Sequence, residues 1–240
     1  MRIAISISGH TRNLTLIPIL NKLKSMGIQF DTFVSSWNTS GYRISMYDHD
    51  KNNFDFSNID IPNLKKLEIE NDGLKIEEVE KACFLNEKVI EPGNYNPEEE
   101  FKRKYQIISM FRKCQRSIDI IEGDYDFVLR TRFDCVFDID TVLRYSNQLK
   151  ESNSILVPFN WGAGDESHPG GGRICDSFAF GPSDLIKKYS KVYDYIRNPE
   201  TSEYMLNNGV WFCPHSILLH HLRKEEVNYI KDHIEYDIIR

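Results

Sequence analysis

The chain has 240 residues, 40% of them hydrophobic and 28% charged, with a formal net charge of -6. This length and balance suit one large α/β domain with a full core, and the acidic excess argues against a nonspecific nucleic-acid or anionic-membrane binder. No stretch approaches the ~20 apolar residues of a membrane span, and the apolar run in MRIAISISGHTRN is too short for a secretory h-region. A cytoplasmic protein is therefore expected. The five cysteines (Cys83, Cys114, Cys135, Cys175 and Cys213) include no CxxC pair. That scatter argues against both a disulfide framework and a cysteine zinc site, and it predicts reduced thiols.

RIAISIS, residues 2–8, reads as a first core strand ending at Gly9. The helical spacing of Leu16, Ile19, Leu20 and Leu23 predicts a helix over about 14–26. FDTFVSSW, residues 30–37, is the second strand, and this β-turn-α-β opening favours a parallel sheet. The Asn, Asp, Ser and Tyr-rich residues 38–63 read as a long loop. LKKLEIEN and EKVIEP read as short strands around a helix near 77–84. Pro97 starts a long helix to about Ile121, with three glutamates in its first turn, where they suit the helix dipole. Its expected buried face is Tyr105, Ile108, Phe111, Ile118 and Ile121, and Gly123 closes it. Then follow the strand YDFVLR, a helix near 141–149, the strand SILVPF, the glycine-rich loop WGAGDESHPGGG, the strand ICDSFAFG and the helix PSDLIKKYSKVYDYI. Helical segments in SEYMLNNGVWFCPHSILLHHLRK precede VNYI and IEYDIIR, which close the chain.

The strongest local signal is YDFVLRTRFDCVF, residues 125–137, where a buried strand runs into a charged turn. Open α/β sheets bind ligands outside the carboxyl ends of their strands. There the guanidinium forks of Arg130 and Arg132 suit phosphate oxygens, and the carboxylate of Asp134 suits a hard divalent cation. The plainer reading pairs these arginines with Asp124, Asp126 or Asp138 at a strand end. Ser8, Gly9, His10, Thr11 and Arg12 lie at the first strand-to-helix turn, where small residues let a ligand approach the backbone; SGHTR is neither a P-loop nor a GxGxxG turn, and an ordinary βα turn explains it equally well. Asp31 and Trp37 can contact a ribose and a base, against a core tryptophan and a turn aspartate. The loop 161–173, with Gly170 to Gly172, can act as a lid or be a plain surface loop. Asp176 is the first choice for a general base and Glu203 the second. His215 can ligate Mn²⁺, though a lone histidine on an apolar helix is more often structural. His220 and His221 are adjacent and cannot share one helix face.

Taken in order, ISGHTRN, DTFVSSW, KYQIISMFRKCQRSIDI, YDFVLRTRFD and DSFAFGPSDLIKKYSKVY resemble a group of GT-A-fold, nucleotide-sugar-dependent glycosyltransferases of the kind found in surface-polysaccharide loci and in large viruses and phages. The resemblance covers nearly the whole chain. It implies a single GT-A-like (Rossmann-like) domain with a mixed, mostly parallel sheet flanked by helices. Residues 1–136 would be mainly nucleotide-binding and 137–240 mainly acceptor-side. It also implies a nucleotide diphosphate sugar donor, a glycan or other hydroxyl acceptor, and usually Mn²⁺ or Mg²⁺ held by a DxD motif. The matching place reads Arg132-Phe133-Asp134, so one carboxylate of the pair is replaced by an arginine. Two arrangements follow: Asp134 holds metal with His215 or Asp176, or Arg12, Arg130 and Arg132 neutralise the diphosphate alone. The expected reaction is transfer of a hexose or deoxyhexose. A nucleotidyltransferase, or a catalytically silent glycan-binding protein on the same fold, is the alternative.

Overall fold

The computed structural model describes residues 1–11, 13–38, 42–43, 49–50, 55–71, 97–158, 174–208, 210, 213–232, 234 and 236–239. Arg12, the loop 161–173, Cys83 and the elements expected from EKVIEP and from 77–84 lie outside the described residues.

The chain opens with β1 (Arg2–Gly9), α1 (Leu16–Ser25) and β2 (Gln29–Trp37). β1 alternates Ile3, Ile5 and Ile7 on one face with Ala4, Ser6 and Ser8 on the other, so both faces are buried as a central parallel strand requires. Each fully buried isoleucine contributes about 1.5–3 kcal/mol of apolar burial. Within 38–63 the described residues hold the two-residue strands β3 (Tyr42–Arg43) and β4 (His49–Asp50), paired antiparallel, and a 3-10 turn at Phe56–Asn58 that Asp55 caps. β5 (Leu64–Glu70) follows, then α2 (Pro97–Asp119). Ile108, Phe111 and Ile118 of α2 are buried as expected, whereas Tyr105 and Ile121 are only partly so. Gly123 has φ +101, a left-handed turn that suits glycine after a helix.

β6 (Phe127–Thr131) and β7 (Cys135–Phe137) flank the charged turn. The helix expected over 141–149 is two short helices, α3 (Ile139–Arg144), capped by the Asp138 carboxylate, and α4 (Ser146–Glu151). After β8 (Ser154–Pro158), only the last three residues of ICDSFAFG join a strand, β9 (Ala179–Pro182). PSDLIKKYSKVYDYI likewise breaks at Lys191 into α5 (Ser183–Ser190) and α6 (Val192–Arg197). α7 (Pro199–Asn207), α8 (Pro214–Lys224), β10 (Asn228–Asp232) and β11 (Tyr236–Ile238) complete the order.

Seven strands form one sheet in the order β10-β8-β9-β6-β1-β2-β5. Every pairing among them is parallel except those of β9, which runs antiparallel to β6 and β8. The mixed, mostly parallel sheet flanked by helices is thus present, and strands from both 1–136 and 137–240 join it. One face packs against α2, α5, α6 and α8, the other against α1, α3 and α4. β11 pairs separately with β7. Cys114, Cys135, Cys175 and Cys213 are buried, unpaired thiols.

Candidate functional site

The sheet has a topological switch point. β1 is followed by β2 on one side, while β6 pairs on its other side. Two connections leave the carboxyl ends of β1 and β6 in opposite directions, and the crevice between them is where open α/β sheets take ligands. Ser8, Gly9, His10 and Thr11 leave β1 there, and Arg130, Arg132 and Asp134 leave β6. Because β9 runs antiparallel, the segment leading into it, with Asp176, reaches the same edge: Ala179 pairs with Arg130. His215 joins through the first turn of α8, where its Nδ1 donates to the carbonyl of Ile174 at 3.0 Å. A carbonyl only accepts, so this bond fixes the proton of a neutral His215 ring on Nδ1. The same nitrogen lies 3.7 Å from Oδ1 of Asp176.

Arg130 is the anchor of this edge. It is 1% exposed, donates from Nη2 to Oγ of Ser8 at 3.2 Å and from Nη1 to the carbonyl of Asp176. No carboxylate pairs with it among the described residues, and its Nε has no partner. Thr11, just after β1, is 1% exposed and its hydroxyl is also unpartnered. Buried donors left without partners cost about 1–3 kcal/mol each, more when charged, so each of these two atoms can still take an acceptor. Gly9 has φ +105, and a Cβ built there would meet nothing within 4 Å. Its backbone therefore stands open to a ligand that approaches closely.

Arg132 and Asp134 form a closed pair. Nε donates to Oδ1 at 2.8 Å and Nη2 to Oδ2 at 2.5 Å, with Asp134 0% exposed. Both oxygens expected to face a cation are thereby held by a guanidinium. The rest of the turn is tied to the chain's two ends: Thr15 donates to the carbonyl of Phe133 at 3.2 Å, and Ile239 N–H to that of Asp134 at 2.9 Å. Asn13 donates to the carbonyl of Ile239 at 3.0 Å, so the segment 236–239 bridges the two strand-to-helix turns. The sequence reading gave this segment no role.

Trp37 ends β2 on the same edge, buried, with its ring 6.3 Å from that of His10. Lys113 of α2 lies beneath it, fully buried, its Nζ 4.2 Å from the ring centroid. That Nζ donates to the carbonyl of Ser36 at 3.0 Å and pairs with Glu70 at 3.1 Å. Burial lowers the lysine's pKa, and Glu70 offsets part of that. The signal for Lys113 lies in the helical spacing of Ser109, Lys113 and Ser117, three buried polar residues at i, i+4 and i+8.

Two expected site residues lie elsewhere. Asp31 pairs with Ala4 while Ser36 pairs with Gly9, which puts Asp31 five residues, roughly 16 Å, below the carboxyl edge. There it accepts from Arg2 at 2.8 Å and from Tyr125 at 2.9 Å, with Lys65 at 3.5 Å. It is a strand-start ion pair, too far from the carboxyl edge to contact a ribose bound there. A shallow groove of about 520 Å³ lies beside it, lined by Arg2, Gln29, Asn63 and Lys65 among others. Glu203 is exposed on α7, a helix that packs against α6. Arg12 falls outside the described residues.

The expected metal set does not assemble. Among the described residues, no three His, Cys, Asp or Glu side chains are grouped to hold an ion. Asp134 turns to Arg132, and His215 turns to Ile174 and Asp176. No described helix is long and apolar enough to cross a membrane.

No family model matches the chain, and no curated protein does either. Among solved structures, it is similar to the apo form of mouse xyloside xylosyltransferase 1, with 7% identity, a TM-score of 0.46, and coverage of 96% of this chain and 84% of that one. It is also similar to the galactosyltransferase LgtC in complex with donor and acceptor sugar analogs, with 12% identity, a TM-score of 0.47, and coverage of 95% and 73%. At identities and TM-scores this low, neither likeness carries an argument about activity or residue roles.

Proposed function

We propose that the protein is a glycosyltransferase that moves a hexose or deoxyhexose from a nucleotide diphosphate sugar to a hydroxyl acceptor such as a glycan. The observation that carries the reading is the switch point, where β1 and β6 end in residues with the partnerless Arg130 Nε, the partnerless Thr11 hydroxyl and the open backbone of Gly9. A diphosphate supplies the missing acceptors, and its charge as leaving group is what the site must stabilise. The GT-A resemblance of the sequence supports the same donor class. Residues 1–136 supply the donor side in this reading, with Ser8, Gly9, His10, Thr11 and Arg12 at the phosphates and Trp37 toward the base. Residues 137–240 supply the acceptor side. There Asp176 accepts the proton of the acceptor hydroxyl, and His215 positions it from 3.7 Å.

The test is release of nucleoside diphosphate on incubation with UDP-, GDP-, CDP-, dTDP- and ADP-sugars, with acceptor and without. Release of one diphosphate supports the reading. Release of pyrophosphate from a nucleoside triphosphate and a sugar phosphate would replace it by nucleotidyl transfer. Sugar binding with neither product would leave a silent glycan-binding protein.

A further inference from the structure

We infer that this site binds its donor diphosphate without a divalent cation, because Arg132 stands as a tethered positive charge where the metal would sit. The inference rests on the glycosyltransferase reading and concerns how that site handles charge.

A dication needs oxygen ligands that are accessible and unshared. Asp134 is neither. It is 0% exposed, and both of its oxygens are taken by Arg132 at 2.8 and 2.5 Å. To bind an ion it would have to leave a two-pronged pair that is among the stronger side-chain contacts. The incoming dication would then stand a few ångströms from a guanidinium that has lost its counterion, and like charges at that range repel strongly where water is scarce. The other candidates do not rescue it, since no three His, Cys, Asp or Glu side chains group to hold an ion among the described residues.

The same geometry suits an anion. The guanidinium carries five N–H donors, and Asp134 takes two of them, one from Nε and one from Nη2. The Nη1 donors remain, and the Arg132 side chain keeps 20% of its surface exposed. Asp134 thus acts as a positioning residue that fixes the fork, while Arg132 presents the unspent donors. Arg130, buried and without a carboxylate partner among the described residues, supplies a second fixed charge on the same turn. With Asp134 paired to Arg132, the two guanidinium groups leave one net positive charge at this strand end to face a diphosphate.

The test titrates UDP, GDP, CDP, dTDP and ADP into EDTA-treated protein by calorimetry, then repeats with Mn²⁺. Mn²⁺ alone is titrated by electron paramagnetic resonance. The expected result is one diphosphate whose Kd changes by less than about threefold on adding Mn²⁺, with no protein-bound Mn²⁺ signal. Arg132→Gln should weaken that diphosphate at least about tenfold in EDTA, and Arg132→Lys should recover part of the loss because it keeps the charge. Asp134→Asn should weaken binding yet leave it insensitive to EDTA. A Kd that tightens about tenfold or more with Mn²⁺ overturns the inference and leaves the glycosyltransferase reading intact. The same holds for a bound Mn²⁺ signal that Asp134→Asn removes. Absence of diphosphate binding under both conditions overturns the donor reading and this inference together.

Discussion

The two ends of the sheet carry similar densities of charge but satisfy them differently. At the amino end, both oxygens of Asp31 are engaged by Arg2, Tyr125 and Lys65, and the two cations reach solvent. At the carboxyl end, Arg130 is sealed from solvent, has no ion-paired carboxylate among the described residues, and leaves Nε unpartnered, as is the buried hydroxyl of Thr11. A paired, solvated cluster is complete in itself and contributes little stability. A buried cation with no carboxylate at ion-pair distance, only the field of Asp176, carries a larger desolvation cost and keeps a donor for an added anion. Clustered charge alone therefore does not mark a site; unsatisfied charge does.

The largest effect that bears on this contrast is expected at Arg130. Arg130→Met removes a buried charge and keeps the length of the side chain. Diphosphate affinity should fall at least about a hundredfold while the melting temperature holds or rises, since replacing buried ions by apolar groups is often neutral or stabilising. Unchanged affinity in calorimetry would make Arg130 a structural tie like those at the amino end. Gly9→Ala comes next. Its φ of +105 strains any L side chain by about 1–2 kcal/mol, so melting should drop by roughly 2–8 °C. The added methyl would occupy space that is open in the protein, and donor affinity should fall about tenfold. A loss of stability with no loss of affinity would place the ligand elsewhere.

Asp31→Asn is the matching change at the opposite end, and it should leave turnover untouched while costing about 1 kcal/mol of stability. Burial pushes the Asp31 carboxyl up, but the hydrogen bonds from Arg2 and Tyr125 and the charge of Lys65 outweigh it, so its pKa lies below the ordinary value. Its contribution is therefore present above the ordinary carboxylate pKa and is lost as pH falls through the depressed one. A drop in turnover for Asp31→Asn would break the contrast between the ends.

The smallest functional effect is expected at His220, five residues beyond His215 on α8. Burial, with some help from Arg223, lowers its pKa to about 4 from the ordinary 6.5. The folded chain then holds it neutral where the unfolded chain takes up a proton, so stability should decline as pH falls from 6.5 toward 4. Thermal unfolding of His220→Leu should show a flatter decline over that window and unchanged donor binding. An identical pH profile would mean that His220 takes no part in acid sensitivity.

Periodicity made most of the elements legible. The isoleucine alternation of β1 and the 3.6-residue spacing of Leu16, Ile19, Leu20 and Leu23 depend only on which neighbours share a face. The break at Lys191 and the split of 139–151 into two helices were not legible, because packing against the sheet decides where such a helix bends. Arg130, Arg132, Gly9 and Thr11 were named because strand-to-helix turns of a parallel sheet carry its ligands. Asp31 misled because a β-strand places one carboxylate at either end of the sheet according to register, and register is a property of two strands.

The sequence by itself determined the mostly parallel α/β class, the charged turn after β6 and the replacement of one carboxylate by Arg132, since these are local patterns of hydrophobicity and residue identity. Tertiary structure alone decided that β6 pairs on the side of β1 away from β2, which creates the crevice. It also decided that β9 runs antiparallel and brings Asp176 to that edge, and that Asp134 spends both oxygens on Arg132. Those outcomes depend on strand order, direction and side-chain geometry, which only the packed sheet sets.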